Sequence, residues 1–160
     1  MGLLFADGGT VQLRKQAGPF EITLFSTPSP LRVGRADLSV MVQRVSDHSP
    51  VLDANVKLHL RRRGGDNIIE VFAPARHENA TNKLLYAANV NLISAGDWLA
   101  EVEVIEGGAT ADVAGQVMVL PASPPAVAYW PYFALVPLAI ALFVFNRWLR
   151  RRREYLRPRR

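Results

Sequence analysis

The chain has 160 residues, contains no cysteine and carries a formal net charge of +5 at pH 7. Without cysteine, thiolate catalysis, disulfide bonds and cysteine-ligated zinc or copper are excluded. The residues from Asn146 onward include eight arginines and one glutamate, a net +7, so the preceding 145 residues carry a net −2. The positive charge is therefore a property of the tail, and it gives no reason to expect a nucleic-acid-binding domain.

Residues 1–9 are interpreted as a lead-in to the first domain. They include the short apolar run MGLLFA. One hypothesis is that Gly2 to Ala6 end a signal peptide that starts upstream, with cleavage near Ala6. The alternative is that the C-terminal apolar segment directs export alone. N-terminal sequencing of the native protein distinguishes these two interpretations.

Residues 10–120 show short segments in which apolar and polar side chains alternate, separated by clusters of Gly, Pro, Asn and Asp. Such alternation indicates strands with one buried face, and its repetition predicts an all-β fold, an immunoglobulin-like β-sandwich of about seven strands. We expect Trp98 in the core, and His59 facing solvent between Leu58 and Leu60. The candidate strands lie in residues 10–17, 20–24, 38–45, 56–61, 68–73, 83–92, 98–105 and 115–120.

Several of these segments share a sequence pattern with a known family. A tyrosine-containing strand, LLYAANVNL, is followed by SAGDWLAEV, in which a Gly-polar-Trp turn leads into another alternating strand; the opening segments are FEITL, PLRVG and LSVMV. This pattern resembles YtkA-like and FixH-like domains, small exported immunoglobulin-like sandwiches, over residues 18–106. The resemblance implies a periplasmic or extracellular accessory role near copper handling or respiratory oxidase assembly. FixH-like proteins place the membrane anchor before the domain, whereas here the apolar segment follows it.

The C-terminal part of the chain has the pattern of a membrane anchor. Residues 121–125 form a proline-rich linker, and residues 126–145 contain no charged side chain. Twenty helical residues cover about 30 Å, the thickness of a bilayer's hydrocarbon core. We therefore predict one transmembrane helix over residues 126–146 and a basic cytoplasmic tail over residues 147–160.

Aromatic and basic side chains flank this predicted helix as they do in membrane proteins. Arginines accumulate on the cytoplasmic side of a span, so Arg150, Arg151, Arg152 and Arg153 place the C-terminus inside and the first domain outside the cytoplasmic membrane. Tyr129 and Trp130 mark the outer interface and Trp148 the inner one. Pro137 is expected to bend the helix modestly.

Copper binding is one functional hypothesis, with Met41, His48, His77 and Met118 as candidate ligands because thioether and imidazole groups bind copper. None of them stands in an H-x-H, M-x-x-M or H-x-M arrangement. Adjacent residues such as Asp47, His48 and Ser49 cannot converge as a catalytic triad. We therefore expect no enzymatic activity and no bound cofactor.

The sequence favours a non-enzymatic, single-pass accessory or scaffold protein. Its exported domain is expected to contact an integral membrane protein complex. The alternative hypothesis is that this domain is a copper-binding chaperone that supplies copper to a membrane oxidase. An anchor raises the effective concentration of the domain near such a complex. The bilayer and this protein partner are the expected partners; no nucleic acid or small-molecule substrate is indicated.

Overall fold

The computed structural model describes residues 9–64, 67–124, 135 and 137–148. The chain divides into two compact units, Met1–Ala122 and Ser123–Arg160. The described part of the first unit is mostly β-structure in two antiparallel four-stranded sheets, consistent with a β-sandwich. Its eight strands are β1 (Thr10–Ala17), β2 (Phe20–Thr27), β3 (Gly34–Arg44), β4 (Asn55–Gly64), β5 (Asn67–Ala75), β6 (Tyr86–Leu92), β7 (Gly96–Glu106) and β8 (Ala109–Val119).

The strand order sets which strands are exposed at the edges. One sheet has the order β1-β2-β3-β6 and the other has the order β5-β4-β7-β8. In the second sheet, β5 and β8 are therefore the two edges. Between β5 and β6 lies a single 3₁₀ turn, His77–Asn79.

The core is formed by the inward-facing residues of both sheets. Because side chains alternate across a strand, every second residue of β2, β3, β4 and β7 enters it. Phe20, Val40, Leu58 and Val102 are each 1% exposed or less and belong to one hydrophobic cluster. Trp98 is 1% exposed in the same cluster, which confirms its predicted place in the core.

The alternation predicted the strands well, but three of them begin elsewhere. The described residues contain eight strands, one for each of the eight candidate segments. β3 begins at Gly34 and β8 at Ala109, both earlier than expected, whereas β6 begins later, at Tyr86. The early residues of β3 and β8 are small or charged, so periodicity alone does not mark them as strand.

The second unit contains helical residues 135 and 137–148. All of these side chains are exposed, including Leu138, Ile140, Leu142 and Phe143, which are 55–65% exposed. Within the described ranges, no helix is long and apolar enough to cross a bilayer. The predicted signal-peptide remnant, Tyr129, Trp130 and the block 150–153 lie outside the described residues.

Candidate functional site

The outer face of the sheet β5-β4-β7-β8 carries rows of ionic side chains. Pairing places His59 of β4 between Phe72 of β5 and Glu101 of β7. The next row places Arg61 beside Glu70, and the row on the other side aligns Lys57 with Glu103. Cross-strand neighbours on one face lie within reach of each other, so these rows form a continuous polar surface.

His59 is the centre of this surface. Its Nδ1 lies 3.0 Å from Glu101 Oε2, and its ring stacks on that of Phe72 with centroids 4.0 Å apart. Its Nε2 has almost no accessible surface and no hydrogen-bond partner, since Glu70 Oε1 lies 3.6 Å away. The His59 side chain points to the outer face of the sheet, as expected, but it is only 24% exposed because neighbouring side chains cover it.

The acidic groups on β7 are paired with cations on β4. Arg61 Nη2 donates to Glu101 Oε1 at 2.9 Å, and Lys57 Nζ donates to Glu103 Oε2 at 2.8 Å. These pairs are partly exposed, so each contributes little to stability. In the middle of the sheet face, the negative charges of β7 are therefore balanced by the positive charges of β4. β5 lies at the margin of this face, outside these two pairs.

A groove with a volume of about 770 Å³ lies where β4 begins and β5 ends. Its walls combine exposed apolar side chains, Leu52, Phe72 and Pro74, with the charged side chains of Lys57 and Arg76. Such a mixed, open groove suits a flexible polypeptide better than a small enclosed ligand.

Tyr86 fixes one wall of this groove. Its hydroxyl donates to the Val51 carbonyl at 2.9 Å and accepts from the Ala54 amide at 3.0 Å, which ties the β3–β4 connection to β6. Burial raises the pKa of the Tyr86 phenol, the largest of the effects acting on it. The phenol therefore stays neutral and keeps its donor proton at physiological pH.

The four copper-ligand candidates lie on different elements. His48 lies in the β3–β4 connection and Met118 is 62% exposed on β8. Met41, on β3, packs in a small cluster beneath the segment that leads into β6. His77 has both ring nitrogens near carbonyl oxygens, Nδ1 at 2.8 Å from Leu85 and Nε2 at 2.9 Å from Leu52. In residues 9–64, 67–124 and the described helix, no group of three or more His, Asp or Glu side chains is placed to hold a metal ion.

The Asp47-His48-Ser49 segment forms a local turn. Asp47 Oδ1 accepts hydrogen bonds from the Ser49 amide at 3.0 Å and from the Ser49 hydroxyl at 2.7 Å. These bonds, the hydroxyl first, lower the pKa of the Asp47 carboxyl. The aspartate therefore orders its own loop.

Sequence reasoning missed the exposed apolar side chains of β5. Ile68 is 63% exposed and Phe72 is 70% exposed. Both lie in the run NIIEVFAPA, where apolar residues occupy both faces. The sequence of this run could have indicated the exposure. A strand with apolar residues on both faces either has both faces buried by other elements or leaves one apolar face in water.

Of the predicted anchor residues, the structure describes Pro137 and Trp148. Both lie in the helical residues, and the Trp148 ring stacks on Phe145 with centroids 6.0 Å apart.

Comparison with protein-family models gives no match, and comparison with curated proteins gives no significant match. The resemblance to YtkA-like and FixH-like domains therefore stays a prediction.

Proposed function

We propose that this chain is a membrane-anchored, non-enzymatic accessory protein whose β-sandwich binds a partner on the outer side of the cytoplasmic membrane. The observation that carries the proposal is the uncharged run of residues 126–145 followed by the arginine block. The exposed side chains of helical residues 137–145 support it, because an apolar surface on all sides of a helix suits lipid better than water.

The strand order supports the immunoglobulin-like interpretation. In variable-type immunoglobulin domains, an extra strand C′ extends the sheet G-F-C at the side of strand C. The order β8-β7-β4-β5 corresponds to G-F-C-C′, with β5 as the added edge strand. The buried tryptophan differs from the immunoglobulin pattern, since Trp98 lies on β7 and not on the strand that corresponds to C.

We assign a binding function to the domain because the carboxylates on its sheet face are held in ion pairs, while exposed apolar side chains on β5 can contact another protein. Glu101 and Glu103 each accept a hydrogen bond from a cation on the neighbouring strand. A carboxylate whose oxygen is already occupied by a cation is less available to accept a proton from a substrate. The exposed side chains of β5 are suited to protein contact.

The absence of native cysteine makes the topology directly testable. We would introduce Asn89→Cys, at an exposed position of β6, and Arg160→Cys at the tail, each in the full chain. A membrane-impermeant maleimide should label Asn89→Cys in intact spheroplasts and Arg160→Cys only after permeabilisation. The reverse pattern would overturn the proposed orientation, and release of the protein by alkaline carbonate would overturn the anchor itself.

A further inference from the structure

The two edges of the sheet β5-β4-β7-β8 are not equally protected. At the β8 edge, Lys15 Nζ from β1 donates to the Ala114 carbonyl at 2.7 Å. Beyond β8, the Leu120 amide donates to the Leu31 carbonyl at 2.9 Å, and the Val33 amide donates to the Leu120 carbonyl at the same distance. Beyond β5, Arg76 exchanges two backbone hydrogen bonds with Ala87 of β6, both at 3.0 Å. Along residues 67–75 themselves, none of the described strands pairs with the outer edge of β5.

The direction of the free backbone groups on β5 follows from Pro74. A proline has no amide hydrogen, so within a sheet its nitrogen faces an open edge. Backbone groups two residues apart on a strand point the same way. The amides and carbonyls of Ile68, Glu70 and Phe72 therefore face outward, where they can pair with another strand.

The side chains of these three residues give the edge a pattern of apolar, acidic, apolar. All three lie on the outer face, with Ile68 and Phe72 more than 60% exposed. Stacking on His59 holds the Phe72 ring in place. The Glu70 carboxylate is 40% exposed and makes no hydrogen bond with His59, since the gap is 3.6 Å.

The geometry points to β5 as a docking strand, to which an extended segment of a different protein adds as a fifth strand. The residues of that segment facing Ile68 and Phe72 are apolar, and the one facing Glu70 is lysine or arginine, because opposite charges on neighbouring strands attract. Beyond Phe72, the groove with Pro74 and Leu52 in its walls receives the next apolar side chain of the segment.

A second copy of this chain fits the edge less well. Two copies pairing through β5 would place only the residues NIIEVFAPA opposite each other, and this strand contains no cation to face Glu70. One symmetric register places Glu70 against its own equivalent, which is repulsive. Charge complementarity therefore favours a partner that supplies the basic residue.

The inference rests on the proposed role as a binding protein, but it is tested separately from membrane topology. The probe is a capped seven-residue peptide, Thr-Val-Thr-Lys-Thr-Val-Thr, added to the ¹⁵N-labelled full chain in lipid nanodiscs. Its matched control has Glu in place of Lys. We expect the amide signals of Ile68, Glu70 and Phe72 to shift, and the Glu peptide to bind about fivefold more weakly.

Variants at the two edges complete the experiment. Phe72→Lys should weaken peptide binding about tenfold, because it removes the apolar contact and adds a repulsive charge. Met118→Lys should leave binding unchanged, since Met118 is also largely exposed but lies on β8. Ile68→Lys provides a second β5 variant if thermal unfolding shows that Phe72→Lys does not fold.

Three results would overturn the inference. They are amide shifts confined to β8 or β1, equal affinity for the Lys and Glu peptides, and no shift at about 1 mM peptide, which corresponds to a binding free energy weaker than about −4 kcal/mol. Dimerisation of the full chain that Phe72→Lys abolishes would instead assign the edge to a second copy. The cysteine-labelling result does not affect any of these readouts.

Discussion

The edges β5 and β8 belong to the same sheet, yet β1 covers part of β8 while residues 67–75 of β5 have no strand paired on their outer side. β8 lies against β1, whose Leu13 side chain packs at Gly115 and whose Lys15 caps a β8 carbonyl. At β5, Pro74 and the pairing of Arg76 with β6 protect only the end of the strand, and the preceding residues present the exposed side chains of Ile68 and Phe72. Natural proteins usually protect a sheet edge with lysine, proline or a covering element, so an edge left open and apolar is where a partner strand is expected.

Both edges are built from strands of similar length, so strand formation does not explain the difference. β5 has 9 residues and β8 has 11. The difference arises from β1, which lies against the β8 side of the molecule, whereas on the β5 side β6 pairs only with Arg76, beyond the end of the strand. Substitutions in β1, in the residues that contact β1 and on the β5 side therefore test why the two edges differ.

Leu13→Ala should have the largest effect on stability. Leu13 is 7% exposed and contacts β8 at Gly115, so its removal leaves a cavity between β1 and β8. We expect the free energy of unfolding to fall by about 2–5 kcal/mol, measured by urea unfolding of the full chain followed by circular dichroism. Val11→Ala is the control, since Val11 is 52% exposed and should change stability by less than about 0.5 kcal/mol. Equal losses in the two variants would show that β1 does not cover β8 through Leu13.

Gly115→Val should displace β1 from β8. A Cβ atom at Gly115 would lie 2.8 Å from Leu13 Cδ1, closer than carbon atoms approach. Leu13 is buried and cannot move freely, so we expect a loss of about 1–3 kcal/mol and faster hydrogen exchange of the β8 amides. Ala114→Val is the matched control because Ala114 is exposed on the same strand. Unchanged exchange in Gly115→Val would contradict a close β1–β8 contact.

Tyr86→Phe should weaken the β5 side of the domain by a smaller amount. It removes the hydroxyl that bonds the Val51 carbonyl and the Ala54 amide. We expect a loss of about 1–2 kcal/mol and faster hydrogen exchange at Ala54, with the Val90 amide of β6 as the internal control. Protection at Ala54 that survives the substitution would show that the groove wall is held by other contacts.

Much of the sandwich could be predicted from alternation, and the open edge could not. In β4, Leu58 and Leu60 alternate with His59, and this pattern determines which residues share a face. It does not determine which strands are neighbours, because hydrogen bonding between strands depends on contacts distant in sequence. For the same reason, the pattern could not show that Phe72 covers His59 or that β5 ends its sheet.

Acid should weaken the attachment of β1, and this is the smallest effect we expect. Arg14 on β1 donates to both carboxylate oxygens of Glu21 on β2, at 2.8 and 2.9 Å. The hydrogen bond from Arg14, followed by its charge, holds the pKa of Glu21 below its usual range. A carboxyl whose pKa is lower in the folded state stabilises the fold above its ordinary pKa of about 4.3, and this contribution is lost as the pH falls through the folded-state pKa. The melting temperature should therefore drop below about pH 4 by more in the wild-type chain than in Glu21→Gln, while the two chains show the same slope above pH 5. An equal acid loss in Glu21→Gln and in the wild type would mean that β1 is held by its backbone pairing with β2 and not by this ion pair.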